Sequence, residues 1–362
     1  MKKYFYATVL TLAAAILMIA GAMIFVDPYF HFHKPRTGLS YRLYEERYIN
    51  DGISRHFEFD SMITGTSMNQ NFKTSQAEEL FGGSFVKETF SGADFIELGS
   101  NLERAMERNP ELRRVIWGID YSGLRRDVNF VTYENKPEYL YDDNRWNDVN
   151  YLFNKDIIYS GLLNTVIRSI RGLPNTTFDE YASWDRGSGF EHVILSYDRR
   201  GTLEAAASGE NVFDMETELE KARVNVETNL IPLFENHPEV DFYLFYPPYS
   251  ILYWDAIHIE GTLEMQLEAE RQTTERLLQF ENVHLFSFFE NTDLITDLDL
   301  YQNRDHYTAA VNEMILNWIA EDAYEITREN LDDHMNRMYE IYTGYDYEGW
   351  WQEHTREMGL AE

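Results

Sequence analysis

The chain has no cysteine among its 362 residues. That excludes disulfides, thiolate metal sites, a cysteine nucleophile and a lipid anchor on an N-terminal cysteine. Cations are scarce too: 31 Lys and Arg stand against 62 Asp and Glu, a formal charge of −31. A nucleic-acid partner is excluded on that balance, because phosphate binding needs a basic face. The plain meaning of so acidic a surface is solubility, including in a salty or cation-rich exterior. No metal and no cofactor is expected. Asp297-Leu298-Asp299 lacks the further ligands and the glycine of a calcium loop. His31 and His33 stand two apart with no third ligand nearby and read as interfacial residues. No internal repeat or low-complexity tract interrupts the chain.

What is present begins with a long apolar run. Tyr4 to Val26 carries no charge over 23 residues, more than the ~20 needed to cross a bilayer core. Lys2 and Lys3 precede it, and positive flanks stay on the cytoplasmic side. The expectation is a single-pass anchor with the C-terminal bulk outside the cell. A cleaved signal peptide is the competing reading, since Ala20-Gly21-Ala22 has the small-x-small form of a cleavage site. The run, however, exceeds the ~7–15 residues of a signal h-region. Residues 1–3 are then a cytoplasmic stub, 4–26 the anchor and 27–57 a juxtamembrane segment.

From residue 58 to 322 the pattern alternates. Strand signals at Met62–Thr64, Ser84–Thr89, Val115–Asp120, Val240–Tyr246 and Val283–Phe286 are interleaved with helical spacing. The helices fall at Ser75–Phe81, Phe95–Arg108, Met215–Asn236, Thr262–Phe280 and Tyr307–Ala320. This rhythm predicts an α/β fold, a parallel sheet with helices on both faces. An insertion at about 127–215, with a helix around Lys155–Arg171, breaks the rhythm and reads as a cap or substrate-facing subdomain. Residues 323–362 read as a charged, aromatic, helical appendage.

Ligands of open parallel sheets bind beyond the carboxyl ends of the strands. Four strand ends carry polar or glycine-rich turns: Gly65-Thr66-Ser67, Ser91-Gly92, Gly118-Ile119-Asp120-Tyr121-Ser122 and Pro247-Pro248-Tyr249-Ser250. The loop Asn303-Arg304-Asp305-His306-Tyr307 follows the strand at Val283. A serine hydroxyl needs a base to take its proton, and His306 titrates in the right range. Ser67 in a tight turn can offer its own N–H to an oxyanion, and Gly92 can bring a second. Tyr249 is placed to stack on a sugar ring, and Arg125 to meet an anionic substrate group; core packing and a solvated arginine are the competing readings.

At these positions the chain resembles the SGNH, or GDSL-like, hydrolase superfamily. Within it, the chain is similar to membrane-anchored extracytoplasmic members beside cell-envelope acylation systems, the DltD-like teichoic-acid D-alanylation proteins and the alginate acetylation proteins. The resemblance covers roughly residues 58–322 in order and spacing. Gly65-Thr66-Ser67 matches the nucleophile block, Ser91-Gly92 the glycine block and His306 the terminal histidine block. Two positions depart. Asp120 stands where the family's third block has the oxyanion-donating Asn, and an ionised carboxylate cannot donate; Tyr121, Ser122 and Asn69 are the substitutes. Asn303 stands where the family has an acid three residues before the histidine, leaving Asn303, the adjacent Asp305 or Asp299 to orient His306.

The resemblance implies a flavodoxin-like three-layer fold and no cofactor. It also implies a bacterial envelope setting, with a multi-spanning membrane acyltransferase as partner. The expected function is a serine esterase or O-acyltransferase acting on acyl esters of a cell-surface glycan. The alternative is a catalytically weak scaffold or binding subunit, favoured by Asp120 and Asn303. An unrelated halophile-adapted secreted protein is the third reading.

Overall fold

Five apolar runs form parallel strands: β1 (Ser61–Gly65), β2 (Phe85–Thr89), β3 (Arg114–Gly118), β4 (Asp241–Tyr246) and β5 (Val283–Ser287). They lie within two residues of the predicted limits. The computed structural model describes residues 1–133, 136–209 and 213–360. Strand order is β2-β1-β3-β4-β5-β6, and the architecture is α/β. The sixth strand was not expected. β6 (Glu325–Ile326) runs antiparallel to β5 and closes that edge with two residues, a short edge of the kind that resists further pairing.

Two groups of helices cover the sheet. α3 (Thr74–Phe81) packs with Ala309–Ala320, while α4 (Phe95–Arg108) and Leu263–Leu277 both pack with Met215–Asn229. The helix expected over Met215–Asn236 divides into Met215–Asn229 and Ile231–Asn236, because Pro232 lacks the N–H that a continuous helix needs. β2 is buried throughout yet carries Lys87 and Glu88. Lys87 Nζ donates to the Gln70 and Phe72 carbonyls at 2.6 and 2.9 Å. Glu88 accepts from Ser54 and Asn101. Burial lowers the Lys87 pKa to about 7 and raises that of Glu88 to about 8.

Two segments differ from expectation. The juxtamembrane segment contains α2 (Glu46–His56), which buries Asn50, Asp51 and Ser54 alongside Ile49 and Ile53. Asp51 gathers Arg55, Arg104 and Arg108, and these ion pairs hide a core helix behind a charged sequence. Residues 323–362 are not an appendage. Beyond β6, Leu331–Gly344 packs on Leu263–Leu277, Tyr342 stacks on Trp254 at 3.7 Å between ring centres, and Trp351 meets Tyr197 edge-on. Tyr342, Tyr347 and Trp351 are buried.

α1 (Lys2–Val26) is long and apolar enough to cross a membrane. Its side chains are exposed except near the C-terminus, where Met23 and Val26 enter the core. Asp27 ends the helix in a left-handed conformation, φ 48°. Its carboxylate accepts the N–H groups of His31, Phe32 and His33 and the Tyr151 hydroxyl, all at 2.7–3.0 Å. His31 turns to Asp148 at 2.8 Å, and His33 to the Lys34 and Ile24 carbonyls. The two histidines therefore diverge.

Candidate active site

β1 and β3 are neighbours whose connections leave in opposite directions, one to β2 and the other to β4. The crevice at such a reversal is where α/β sheets bind ligands. Gly65 ends β1 with φ +134°, and Gly118 ends β3. A Cβ at Gly65 or Gly118 would lie 2.4 or 2.7 Å from Asn69 Oδ1, so both glycines are required by the close approach of that amide. Asn69 is 0% exposed, and neither polar atom of its side chain has a partner among the described residues. The Asn69 amide fills the space between the strand ends.

Thr66 caps the short turn Ser67–Asn69: its hydroxyl accepts the Met68 N–H and donates to Asp120 Oδ2. Asp120 Oδ1 accepts from the Tyr249 hydroxyl at 2.9 Å. Both oxygens of Asp120 are thus engaged inside the protein. Burial raises its pKa, against the hydrogen bonds from Thr66 and Tyr249 and the nearby His306. In this structure Asp120 and Tyr249 brace the Ser67 turn, and the Tyr249 ring is buried.

Ser67 Oγ lies 2.8 Å from His306 Nε2, and both residues are partly exposed. His306 Nδ1 lies 3.1 Å from Asn303 Oδ1, which also accepts the backbone N–H groups of Asp305 and His306 at 3.0 and 2.9 Å. A backbone N–H can only donate, so the Asn303 atom facing His306 is the carbonyl oxygen. Nδ1 must then carry its hydrogen, and Nε2 is left as the acceptor for the serine proton. Asn303 fixes the tautomer by geometry. The Asp305 carboxylate instead pairs with Arg304 at 2.9 Å, and Asp299 accepts from the Phe190 N–H. Burial lowers the His306 pKa, with Arg186 adding to the shift and Asp305 and Asp120 opposing it.

The glycine loop is tied to this turn. The Phe90 N–H donates to the Gly65 carbonyl at 2.9 Å, and Gly92 follows with φ +64°. The neighbouring amides of Ser91 and Met68 are held by Glu46 and Thr66. Among the described residues, no acceptor takes the Ser67 or Gly92 N–H. Tyr121 is buried, its hydroxyl without a partner among the described residues. Arg125 pairs with Glu218 at 3.1 Å and lies over the Phe213 and Tyr121 rings; these contacts are within the protein.

Three further residues at the site carry no local sequence signal. Glu46 accepts from Gln70, Thr89 and the Ser91 N–H, clamping the loops that carry Ser67 and Gly92 together. Burial raises its pKa. Trp184, from the insertion, meets the His306 ring edge-on at 5.2 Å. Asn71 fixes it there by accepting the Trp184 N–H. A cavity of about 740 Å³, lined by Arg42, Arg168, Tyr181, Ser183 and Gln70 among others, lies beside these loops. A second cavity, about 880 Å³, lies along the helix that starts at Met215 and does not include Ser67 or His306.

No family model, curated protein or solved structure matches the chain.

Proposed function

We propose that this protein is a membrane-anchored, extracytoplasmic serine esterase or O-acyltransferase of SGNH type, acting on acyl esters of a cell-surface glycan. The observation that carries the reading is the relay Ser67–His306–Asn303 at the carboxyl end of the sheet. The order β2-β1-β3-β4-β5 of the five parallel strands, the doubly wound order of flavodoxin-like folds, supports the fold assignment. α1 supports the anchor.

In this mechanism Ser67 Oγ attacks the ester carbonyl while His306 Nε2 takes its proton. The Ser67 and Gly92 N–H groups receive the developing oxyanion. His306 returns the proton to the leaving alcohol, and an acyl-enzyme remains on Ser67. Water or a sugar hydroxyl then attacks, with His306 again the base. The neutral Asn303 orients the imidazole but supplies no charge to the imidazolium, so the base is weaker than one backed by a carboxylate.

The test is reaction of the full chain in detergent with a fluorophosphonate probe, beside Ser67→Ala and His306→Ala. Labelling of the parent chain alone supports the reading; labelling that survives Ser67→Ala overturns it. The second reading, a scaffold subunit that docks to a membrane acyltransferase, is favoured by the uncharged Asn303 and by Asp120 turned inward. It predicts a folded chain that never labels.

A further inference from the structure

The helix Ile157–Ile170 leaves a row of large apolar side chains without protein partners around them. Tyr159 is 65% exposed, Ile170 81%, and Leu163 and Ile167 more than two-fifths each. Ile157–Leu163 is π-helical and Asn164–Ile170 α-helical, and across both turns the spacing of four, four and three residues keeps the four side chains on one face. The opposite face, with Ile157, Gly161, Leu162 and Thr165, is buried. Phe153, Val149 and Trp146, the last 92% exposed, extend the apolar surface on the N-terminal side. Patches of this kind mark contact surfaces rather than ordinary solvent-facing helices.

Its position in the fold says what covers it. The helix packs against the end of α1, and a Cβ on Gly161 would lie 2.9 Å from the Pro28 ring, just past the last turn of α1. Its far end is tied to the same place. The Ser40 N–H donates to Ser169 Oγ at 2.8 Å, the Tyr41 N–H donates to Asn175, and the Tyr41 hydroxyl donates to the Val26 carbonyl. The row therefore lies where α1 leaves the domain.

Local charge is the second argument. Residues 28–44 and 157–178, which these contacts join, hold Lys34, Arg36, Arg42, Arg168 and Arg171 and no Asp or Glu. The remaining residues carry 31 − 5 = 26 basic groups against all 62 acidic ones. These two segments are basic and apolar in a chain whose remainder is net acidic; Lys34 pairs with Glu58, and Asp27, Glu45, Asp156 and Asp179 stand at the limits of the two segments.

We propose that Ile157–Ile170 is an interfacial helix that lies in the lipid headgroup region beside α1. Tyr159, Leu163, Ile167 and Ile170 enter the acyl boundary, and the exposed Arg36 and Arg171 meet lipid phosphates. The inference rests on the anchor reading of α1. The helix adds a second lipid contact at an angle to the first, fixing how the domain stands on the membrane.

The absence of cysteine makes the test direct, because any introduced cysteine is unique. Single variants Tyr159→Cys, Ile170→Cys, Ile16→Cys and Tyr339→Cys of the full chain are labelled with a polarity-sensitive dye. Each is placed in nanodiscs of phosphatidylcholine and phosphatidylglycerol with spin-labelled lipid quenchers. Ile16 reports α1, and Tyr339, exposed on Leu331–Gly344, serves as the solvent control. The expected result is quenching and a blue shift at both patch positions by shallow quenchers, quenching at Ile16 by deep ones, and neither at Tyr339. Patch labels that behave like Tyr339 while Ile16 is quenched overturn the inference and leave the anchor standing. An unquenched Ile16 overturns the anchor and the inference with it. Patch positions exposed in pure lipid but shielded in native membranes assign the face to a protein partner, which also overturns it.

Discussion

Two buried aspartates organise two ends of this molecule, and they do so differently. Asp27, at the exit of α1, receives three backbone N–H groups and the Tyr151 hydroxyl. Asp120, at the end of β3, receives only hydroxyls, from Thr66 and Tyr249. Burial raises the pKa of both. Backbone donors cannot rotate or reverse, so the first site is a fixed joint. Hydroxyl hydrogens can turn, so the second holds the Ser67 turn through groups that, in the proposed reaction, adapt as charge develops on His306. A buried acid fed by the backbone serves the fold; one fed by hydroxyls beside a histidine can serve a reaction.

The contrast can be broken or sharpened by substitution. Ser67→Ala, at the adaptable site, should abolish fluorophosphonate labelling. It should change stability by no more than ~0.5 kcal/mol, as expected for a partly exposed side chain. Unfolding midpoints and probe incorporation read both at once. Asp27→Asn sets an amide N–H₂ against backbone donors that cannot turn away. A loss of about 2–4 kcal/mol in urea denaturation follows, and a change below ~0.5 kcal/mol would remove the joint as described. Asp120→Asn meets donors that can reverse, so the stability change should stay within ~1 kcal/mol. The labelling rate should fall about tenfold as Thr66 shifts the turn. If Asp120→Asn destabilises as much as Asp27→Asn, the distinction between the two sites fails.

The mildest effect is on pH. His306 acts as a base only when neutral, and burial holds its pKa below the usual 6.5. Activity should therefore persist below pH 6.5 and fall only as His306 protonates. The same depression adds stability that is complete above pH 6.5 and is lost as pH falls through the folded value. In Asn303→Asp a carboxylate stabilises the imidazolium, raises that pKa and moves the acidic limb of the pH–rate profile upward. An unmoved limb would mean that His306 is not the titrating base.

The strand ends were legible because each couples an apolar run to a glycine or polar turn, as at Gly65 and Gly118. That local pattern was enough to place Ser67 and His306, 239 residues apart in sequence, within hydrogen-bonding distance. α2 was not legible: Asn50, Asp51 and Ser54 read as surface, and it is their distant partners that make them core, Thr89 and Tyr181 for Asn50, Arg104 and Arg108 for Asp51 and Glu88 for Ser54. Glu46 and Trp184 escaped for the same reason, since what each touches lies in another part of the chain. At Asn303 the departure from the expected acid was visible in sequence. That its amide oxygen is locked toward His306 by two backbone N–H groups was not.

The joint at Asp27 bears on reach. A catalytic domain on a slack tether explores a volume around its anchor. One welded to its post through Asp27, Met23 and Val26 turns with the post and drifts with it in the plane. Under the proposed topology Ser67 would ride at one altitude, able to serve only those esters that come to that height.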